Sequence, residues 1–388
     1  MIHAEQVRQT KLLLQHIADK TTAMADSVYP NPVSDYISAG QAADERRLLF
    51  SQYPLALTLS CRLPNPGDYL SDDFSGIPIL LVRDRDGQVS AFLNVCRHRG
   101  AQVASGCGNT RRAFTCPYHA WNYGLDGRLL SRPAEDAFTD MDKAAHGLVR
   151  LPVEEKYGMI WVSPSADGSV DLEKVLGGAA PHLEAYGLAG YHHYESRVMH
   201  RQMNWKLVID TFLETYHVRV LHARTLNGIV LGDLTTFEAL GPNLQQVVAR
   251  PSITEITALP EEQWQLTPHA ATIYVLFPNV VFLMQGDHLE TWHVYPDGDD
   301  VNASQMLISL YTPEPATSDS ARGHWDRNFD LLMDVVDKED FPLGERVQLG
   351  FHSRAQDCIT FGRNEPSLHH FHRSIRGALG YPPISNGA

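Results

Sequence analysis

Several things are missing from this sequence, and each absence removes a class of function. No run of 18 apolar residues occurs, so no segment is fit to cross a bilayer as a helix. No basic run occurs either. The 32 Lys and Arg are outnumbered by 46 Asp and Glu, for a formal net charge of −14. A chain with no cationic patch to neutralise phosphates is not expected to bind nucleic acid. Cysteine is scarce and odd in number, five in 388 residues, which is not a disulfide framework. No G-x-G-x-x-G follows a strand-like stretch; Gly106-Cys107-Gly108 lacks the third glycine, so no flavin or nicotinamide site is expected. Neither internal repeats nor low-complexity tracts appear. Residues 1–24 mix charged and apolar residues and do not form the apolar core of a secretory signal, so a reducing cytoplasm is the expected compartment. What remains is a globular composition, 43% hydrophobic and 20% charged, long enough for roughly two to three domains.

Two of the five cysteines stand beside histidines. Cys96 and His98 are two apart in NVCRHRG, and Cys116 and His119 are three apart in TCPYHAW, with the 17 residues 99–115 between the pairs. Each half thus carries one thiolate and one imidazole. A zinc site of two Cys and two His places both cysteines in one turn. Mixed halves suit a two-iron cluster with the thiolates on one iron and the imidazoles on the other. The stretch resembles a Rieske [2Fe–2S] centre, whose loops read C-x-H and C-x-x-H, with Gly100 and Pro117 at the turn positions. The resemblance implies that Cys96, His98, Cys116 and His119 hold the cluster. Respiratory-chain Rieske proteins tie the two loops with a disulfide. Here Tyr118 fills one of those positions, and Arg99, Gly100 and Ala101 leave none for the other, which resembles the oxygenase type. Cys61, Cys107 and Cys358 are expected to be buried small hydrophobes.

Residues 4–22 predict an amphipathic helix with Val7, Leu13, Leu14 and Ile17 on its apolar stripe, packed on a catalytic domain. The proline- and asparagine-rich stretch 27–37 is expected to be a linker. From about residue 50 the pattern turns to short strands. IPILLV (77–82) and VSAFLNV (89–95) flank Asp86-Gly87, a hairpin signal repeated at Asp126-Gly127. The cluster loops are therefore expected at the tips of a small all-β domain, residues 46–165, with Trp121 shielding the cluster. The polar stretch 165–172 marks a boundary.

A second informative stretch is NWKLVIDTFLETYHVRVLH, residues 204–222. Trp205, Val208, Ile209, Phe212, Leu213 and Tyr216 predict a helical apolar face, into which Asp210, Glu214, His217 and His222 are set. Five residues apart, His217 and His222 lie far round a regular helix, so they share a metal only if the helix ends or bulges to π form between them. Two histidines and one carboxylate make the facial triad of non-haem Fe(II) oxygenases. The string E-T-Y-H-x4-H, preceded by N-W-K and about a hundred residues after the Rieske motif, resembles the iron helix of Rieske non-haem iron oxygenase catalytic subunits.

That resemblance extends over residues 46–379 and sets further expectations. The fold is α+β: a small all-β Rieske [2Fe–2S] domain plus a helix-grip catalytic domain with a curved antiparallel sheet, residues 166–388, on which residues 1–45 pack. Residues 271–298 look like paired strands of that sheet. Phe277, Phe282, Met284 and Trp292 are expected mainly to be core, with a pocket role as the alternative. Residues 322–339 predict a helix, ending in the acidic group Asp334, Asp337, Glu339 and Asp340. Asp334 and Asp337 are expected on a solvated face. Asp340 follows another acidic residue, as the family's ligand does, and precedes Phe341-Pro342, where the helix is expected to stop. The expected triad is His217, His222 and Asp340. His369, His370 and His372 are expected to pack, and residues 381–388 to be loose.

The implied cofactors are a Rieske [2Fe–2S] cluster and a mononuclear Fe(II). The implied protein is a cytoplasmic homotrimeric terminal oxygenase, taking electrons from a separate NAD(P)H-dependent reductase, with or without a ferredoxin. Glu214 occupies the position of the carboxylate that bridges cluster and iron across subunits in the family. The expected substrate is a small apolar, aromatic compound, as in aromatic hydrocarbon catabolism, that is hydroxylated, dihydroxylated or demethylated with O2. The alternative is a Rieske electron-transfer protein whose helix-grip domain only binds a ligand.

Overall fold

Short apolar runs interrupted by tight turns fold residues 46–171 into one all-β unit. In the computed structural model, which describes residues 1–384, the chain splits into this unit, Arg46–Asp171, and a second formed by Met1–Glu45 with the chain from Leu172 onward. The smaller unit contains a five-stranded antiparallel sheet in the order 150–151, 89–93, 79–83, 68–72, 107–109. Two three-stranded sheets complete it, one of residues 153–156, 159–162 and 55–59, the other of 113–115, 122–124 and 129–131. Ile79–Arg83 and Val89–Leu93 pair as the hairpin that Asp86-Gly87 predicts. At the second such turn Gly127 has φ +81°, and a Cβ there would lie 2.4 Å from the Phe92 ring, so only glycine fits. Leu80, Val82, Phe92, Trp121 and Tyr123 form the core, joined by Cys96 and Cys116.

The larger unit is built on one seven-stranded antiparallel sheet. Its strands are β1 (His192–Arg201), β2 (Thr235–Leu240), β3 (Asn243–Ala249), β4 (Ala270–Leu276), β5 (Val280–Met284), β6 (Leu289–Asp297) and β7 (Asp300–Thr312), in spatial order 1-7-6-5-4-3-2. Strands β3, β4 and β5 are buried along their whole length. Alternation then assigns two faces. Tyr274 and Phe282 pack against Tyr186 on one face. Trp292 faces the other way, onto Phe212.

Helix α1 spans His3–Asp19 and packs on β2. Its buried residues are Gln9, Thr10 and Leu13, whereas Ile17 is exposed, so the contact stripe lies beside the predicted one. The shift follows from polar bonding: Gln9 donates to Gln245 at 3.0 Å and accepts from Thr236. Helix α2, Trp205–Leu213, is capped by Asn204, whose side chain accepts from the Lys206 amide at 3.0 Å. It rests on β6 and β7. Glu45 anchors the N-terminal segment to it, accepting from the Lys206 ammonium and from Trp205 Nε1 at 2.8 Å. Helix α3 (Asp319–Val335) is followed by one π turn, Val336–Asp340, and by α4 (Phe341–Phe351); α5 (Pro366–Ala378) covers β2 and β3.

Several expectations are corrected. The helix does not stop at Asp340. Pro342 falls in the first turn of α4, where no amide donor is required, and the chain continues through the π turn. Tyr216 is half exposed, because α2 ends at Leu213 before reaching it. Residues 29–32, inside the expected linker, form a strand with 358–361. Cys107 and Cys358 are exposed and Cys61 is only half-buried, because all three lie in short peripheral segments. Tyr381 is held by a 2.9 Å hydrogen bond to Asp44 and is not loose. The rest of that expected tail, 385–388, lies outside the described residues.

Candidate metal centres

The two Cys/His loops have the same backbone form. The Cys96 carbonyl accepts from Gly100 N and the Cys96 amide donates to Ala101 O. Likewise the Cys116 carbonyl accepts from Ala120 N and the Cys116 amide donates to Trp121 O. The fourth residue after each cysteine is left-handed, φ +83° at Gly100 and +54° at Ala120. Each loop thus curls so that its thiol and imidazole point the same way. Both thiols are buried, while both imidazoles are half-buried, with ring centroids 4.6 Å apart. His98 stacks on Trp121 at 4.8 Å. Tyr123 Oη lies 3.3 Å from Cys96 Sγ and accepts from the Arg97 amide at 3.0 Å.

The donor chemistry fits a Rieske cluster. Nδ1 of His98 and Nδ1 of His119 are buried atoms without a hydrogen-bond partner among the described residues, which in a polar loop calls for a metal. Burial, followed by the neighbouring Cys96, raises the Cys116 pKa, a strain that metal binding to the thiolate removes. Cys107 lies on the strand at 107–109, outside this group.

In the larger unit His217 sits in a short 3-10 turn, Tyr216–Arg219, just past α2, and His222 follows in the next turn. The helix has ended, which is how histidines five apart come to share a site. Donor atoms of His217, His222 and Asp340 all lie within 4.8 Å of one another. Asp340 Oδ1 is 3.0 Å from His222 Nε2 and 3.6 Å from His217 Nε2. Both Nδ1 atoms are held from behind: His217 by Glu214 and His222 by Glu339 at 2.6 Å. A carboxylate on Nδ1 fixes the proton there and leaves the Nε2 lone pair for a metal. Burial works against protonation of His222, but hydrogen bonds to Asp340 and Glu339 outweigh it and raise its pKa. That demand for positive charge fits a bound cation. Two imidazoles and one carboxylate suit Fe(II) and leave the opposite face open.

Asp334 and Asp337 do not join this group. Asp334 pairs with Lys338 at 2.7 Å and Asp337 with Arg201, both at the surface. His369, His370 and His372 are taken by Gly362 O, Asn243 O and Asp210. Nothing in the sequence distinguishes Glu339 as a second carboxylate at the site. Glu365 is buried; burial, and then the charge of Glu214, raise its pKa to about 7.

A cavity of about 300 Å³ opens from the triad. Its walls are mostly apolar, with Phe212, Ile229, Ile273, Leu283 and Val335 among them. None of Phe277, Phe282, Met284 and Trp292 lines it; Trp292 buttresses Phe212 at 5.0 Å from behind. At the β5–β6 hairpin the wall becomes charged, with Arg250, Gln285, Asp287, His288 and Glu290. His288 is held between Asp287 Oδ1 (2.7 Å) and Glu290 Oε1 (2.9 Å). Burial lowers its pKa, but those two carboxylates prevail and lift it to about 9. These residues carry no motif, and only the hairpin brings them together.

Two family profiles match the chain: "Rieske [2Fe-2S] domain" over residues 54–150 and "Ring hydroxylating alpha subunit (catalytic domain)" over 188–380. The carnitine monooxygenase oxygenase subunit of Acinetobacter baumannii is 29% identical over 349 residues, 88% of this chain and 90% of that protein. The Escherichia coli K12 counterpart is 28% identical, covering 89% and 92%. The glycine betaine monooxygenase oxygenase subunit of Chromohalobacter salexigens is 34% identical over 53% of this chain, and that match spans 46% of its own length. Among solved structures, a quaternary ammonium Rieske monooxygenase with L-carnitine has a TM-score of 0.78 at 22% identity, covering 92% of this chain and 96% of that one. A naphthalene 1,2-dioxygenase with indole has a TM-score of 0.72 at 20% identity, covering 90% and 92%. At those identities the likeness is one of fold.

Proposed function

The chain belongs to the Rieske non-haem iron oxygenases, as a catalytic alpha subunit, and on that premise we propose that it oxidatively demethylates a small quaternary ammonium compound. It is the terminal oxygenase component of a system that needs a reductase, and the family's cofactors are a Rieske [2Fe–2S] cluster and a mononuclear iron. The observation that carries the proposed substrate class is the similarity, over nearly the whole chain, to two carnitine monooxygenase oxygenase subunits. The cavity supports it. An apolar aromatic hydrocarbon, the substrate expected from sequence, would leave Arg250 and Glu290 desolvated against hydrocarbon, which is unfavourable.

When bound, the cluster supplies single electrons and the mononuclear iron supplies O2 activation. Around them the protein's own groups have separable roles. Cys96, Cys116, His98 and His119 hold the cluster, and His217, His222 and Asp340 hold the iron. Glu214 and Glu339 keep the Nδ1 protons of the two iron histidines. The apolar wall excludes water from the open side of the triad. The net reaction consumes O2, two electrons and two protons. It inserts one oxygen into an N-methyl C–H bond and releases the other as water. The N-hydroxymethyl product then breaks its C–N bond to give a tertiary amine, formaldehyde and a proton.

The electrons come from a separate reductase, and the assembly is a homotrimer in which Glu214 lies on the route from the neighbouring subunit's cluster. The electron-carrier alternative is not retained, because a pure carrier has no use for a convergent His217–His222–Asp340 triad. The test is O2 uptake and formaldehyde release with a surrogate reductase, using L-carnitine, glycine betaine, choline and indole as substrates. Formaldehyde from a quaternary ammonium compound is expected. Oxygenation of indole with none from the ammonium compounds would return the substrate to the aromatic class.

A further inference from the structure

The charges at the hairpin end of the cavity do not all have partners. Asp287 is committed, to His288 at 2.7 Å and to His324 at 2.9 Å. His288 is committed on both nitrogens, to Asp287 and to Glu290 Oε1. That leaves the second oxygen of Glu290. The residue is only 2% exposed and lines the cavity, and its Oε2 is buried without a hydrogen-bond partner among the described residues. The Arg250 side chain, on the same wall, gives one hydrogen bond among the described residues, to the neutral Gln285 side-chain carbonyl at 2.8 Å. Its Nε is buried without a partner, and it makes no ion pair among the described residues. Gln285 and His288 close the hairpin, with the Gln285 amide bonded to the His288 carbonyl at 2.9 Å, so this end is fixed by backbone.

Burial disfavours the Arg250 charge more than the through-space pull of Asp287 and Glu290 offsets it, so a guanidinium without a direct ion pair and a carboxylate oxygen without a hydrogen bond on one mostly apolar cavity are both unfavourable unless a ligand completes them. Resting on the demethylase reading of the same cavity, we infer that Arg250 and Glu290 form a bipolar subsite that selects a zwitterion: Arg250 takes the substrate's carboxylate, and Glu290 Oε2 faces its cationic nitrogen. Gln285 orients the guanidinium, whose paired N–H groups match a carboxylate. A quaternary nitrogen has no proton to donate, so Glu290 acts on it by charge alone. The apolar walls and the Phe212 ring accept its methyl groups. Arg250 and Glu290 are specificity residues and take no part in bond breaking. A cation without a carboxylate would leave Arg250 unpaired, so it is selected against.

The experiment is anaerobic titration calorimetry on the holoenzyme with three kinds of probe. Glycine betaine and γ-butyrobetaine carry both charges. Their carbon isosteres 3,3-dimethylbutanoate and 5,5-dimethylhexanoate carry only the carboxylate, and choline carries only the cation. Arg250→Gln is expected to weaken the betaines and the isosteres alike by about tenfold to a hundredfold, and to leave choline unchanged. Arg250→Lys recovers part of the loss. Glu290→Gln weakens the betaines and choline and spares the isosteres; retained isostere binding also shows that the variant is folded. The inference is overturned if no carboxylate probe binds the wild type better than choline does. Betaine binding indifferent to Arg250→Gln overturns it equally, as does an equal loss of choline. Formaldehyde release reads the demethylase proposal separately. Arg250-dependent betaine binding without formaldehyde removes that proposal and keeps the subsite, and formaldehyde from choline with no preference for carboxylates does the reverse.

Discussion

Glu339 accepts a 2.6 Å hydrogen bond from Nδ1 of His222, while its chain neighbour Asp340 lies 3.0 Å from Nε2 of the same ring. Adjacent residues on a regular helix do not face one another. Here they clasp both nitrogens of one imidazole, because the π turn at Val336–Asp340 carries Asp340 inward and leaves Glu339 behind the ring. Thr225 Oγ1 also donates to Glu339 at 2.9 Å, which fixes that carboxylate in turn.

The first prediction separates the two carboxylates. Asp340→Ala is expected to lose about one iron per subunit, with the Rieske spectrum intact and no turnover. Glu339→Gln should keep the ligand set but weaken iron binding by about tenfold to a hundredfold, read by chelator competition. Asp337→Ala, which loses only a surface pair with Arg201, should be near wild type. If Asp337→Ala lost the iron and Asp340→Ala kept it, the carboxylate ligand would lie elsewhere on the turn.

Glu214 contacts His217 directly, so its substitution has two readable effects. Glu214→Gln is expected to leave both metals bound and to slow oxidation of a reduced cluster in single turnover. A wild-type rate in that measurement would take Glu214 off the electron route. Because Glu214 also holds His217 Nδ1, iron affinity should fall as it does in Glu339→Gln, so the rate is read on iron-saturated protein.

At the cluster, Cys96→Ser or His119→Ala should abolish the Rieske optical and EPR signals, and Cys107→Ser should not. Tyr123→Phe removes the hydroxyl 3.3 Å from Cys96 Sγ. Hydrogen bonds to cluster sulfur stabilise the reduced state, so the reduction potential should fall. An unchanged potential in protein-film voltammetry would show that the hydroxyl does not bond to sulfur.

Lys206 and Glu45 form an ion pair in which each side chain is 1% exposed. Lys206→Met strands Glu45 in the interior and is expected to cost about 3–5 kcal/mol. Chemical denaturation checks this; a loss below about 1 kcal/mol would mean that Trp205 Nε1 alone satisfies Glu45.

Asp72 supplies the pH test. Burial, and then the charge of Asp73, raise its pKa from 3.8 to about 7. The folded state therefore binds this proton more tightly than the unfolded state, and stability falls as pH climbs through that interval, then stays at the lower level. Asp72→Asn removes the penalty. Its gain in stability should be smaller at pH 5 than at pH 8, with a full size on the order of 4 kcal/mol. An equal gain at both values would place the benefit in packing.

What the sequence by itself determined was local. Four cluster donors lie within two short loops, and a C-x-H or C-x-x-H spacing needs only one turn of backbone to become convergent. Glu214, His217 and His222 were legible for the same reason, nine residues inclusive around one helix end. The strands at 79–83 and 89–93 followed from a turn signal between two apolar runs. Tertiary structure decided what depended on distant partners or on a choice of face. Asp340 reaches His222 across a separation of 118 residues, and a π turn decides that it points inward where a helix stop had been predicted. The alternation of β4, β5 and β6 fits either face equally well, so it did not tell that Glu290 would line the cavity and Phe282 would pack on Tyr186. Arg250 directly follows one strand while Gln285 and His288 belong to the turn between two others, so their meeting is a matter of strand order. Local spacing places metal ligands because a ligand needs only direction; a substrate pocket needs several elements at once, and only the folded sheet supplies them.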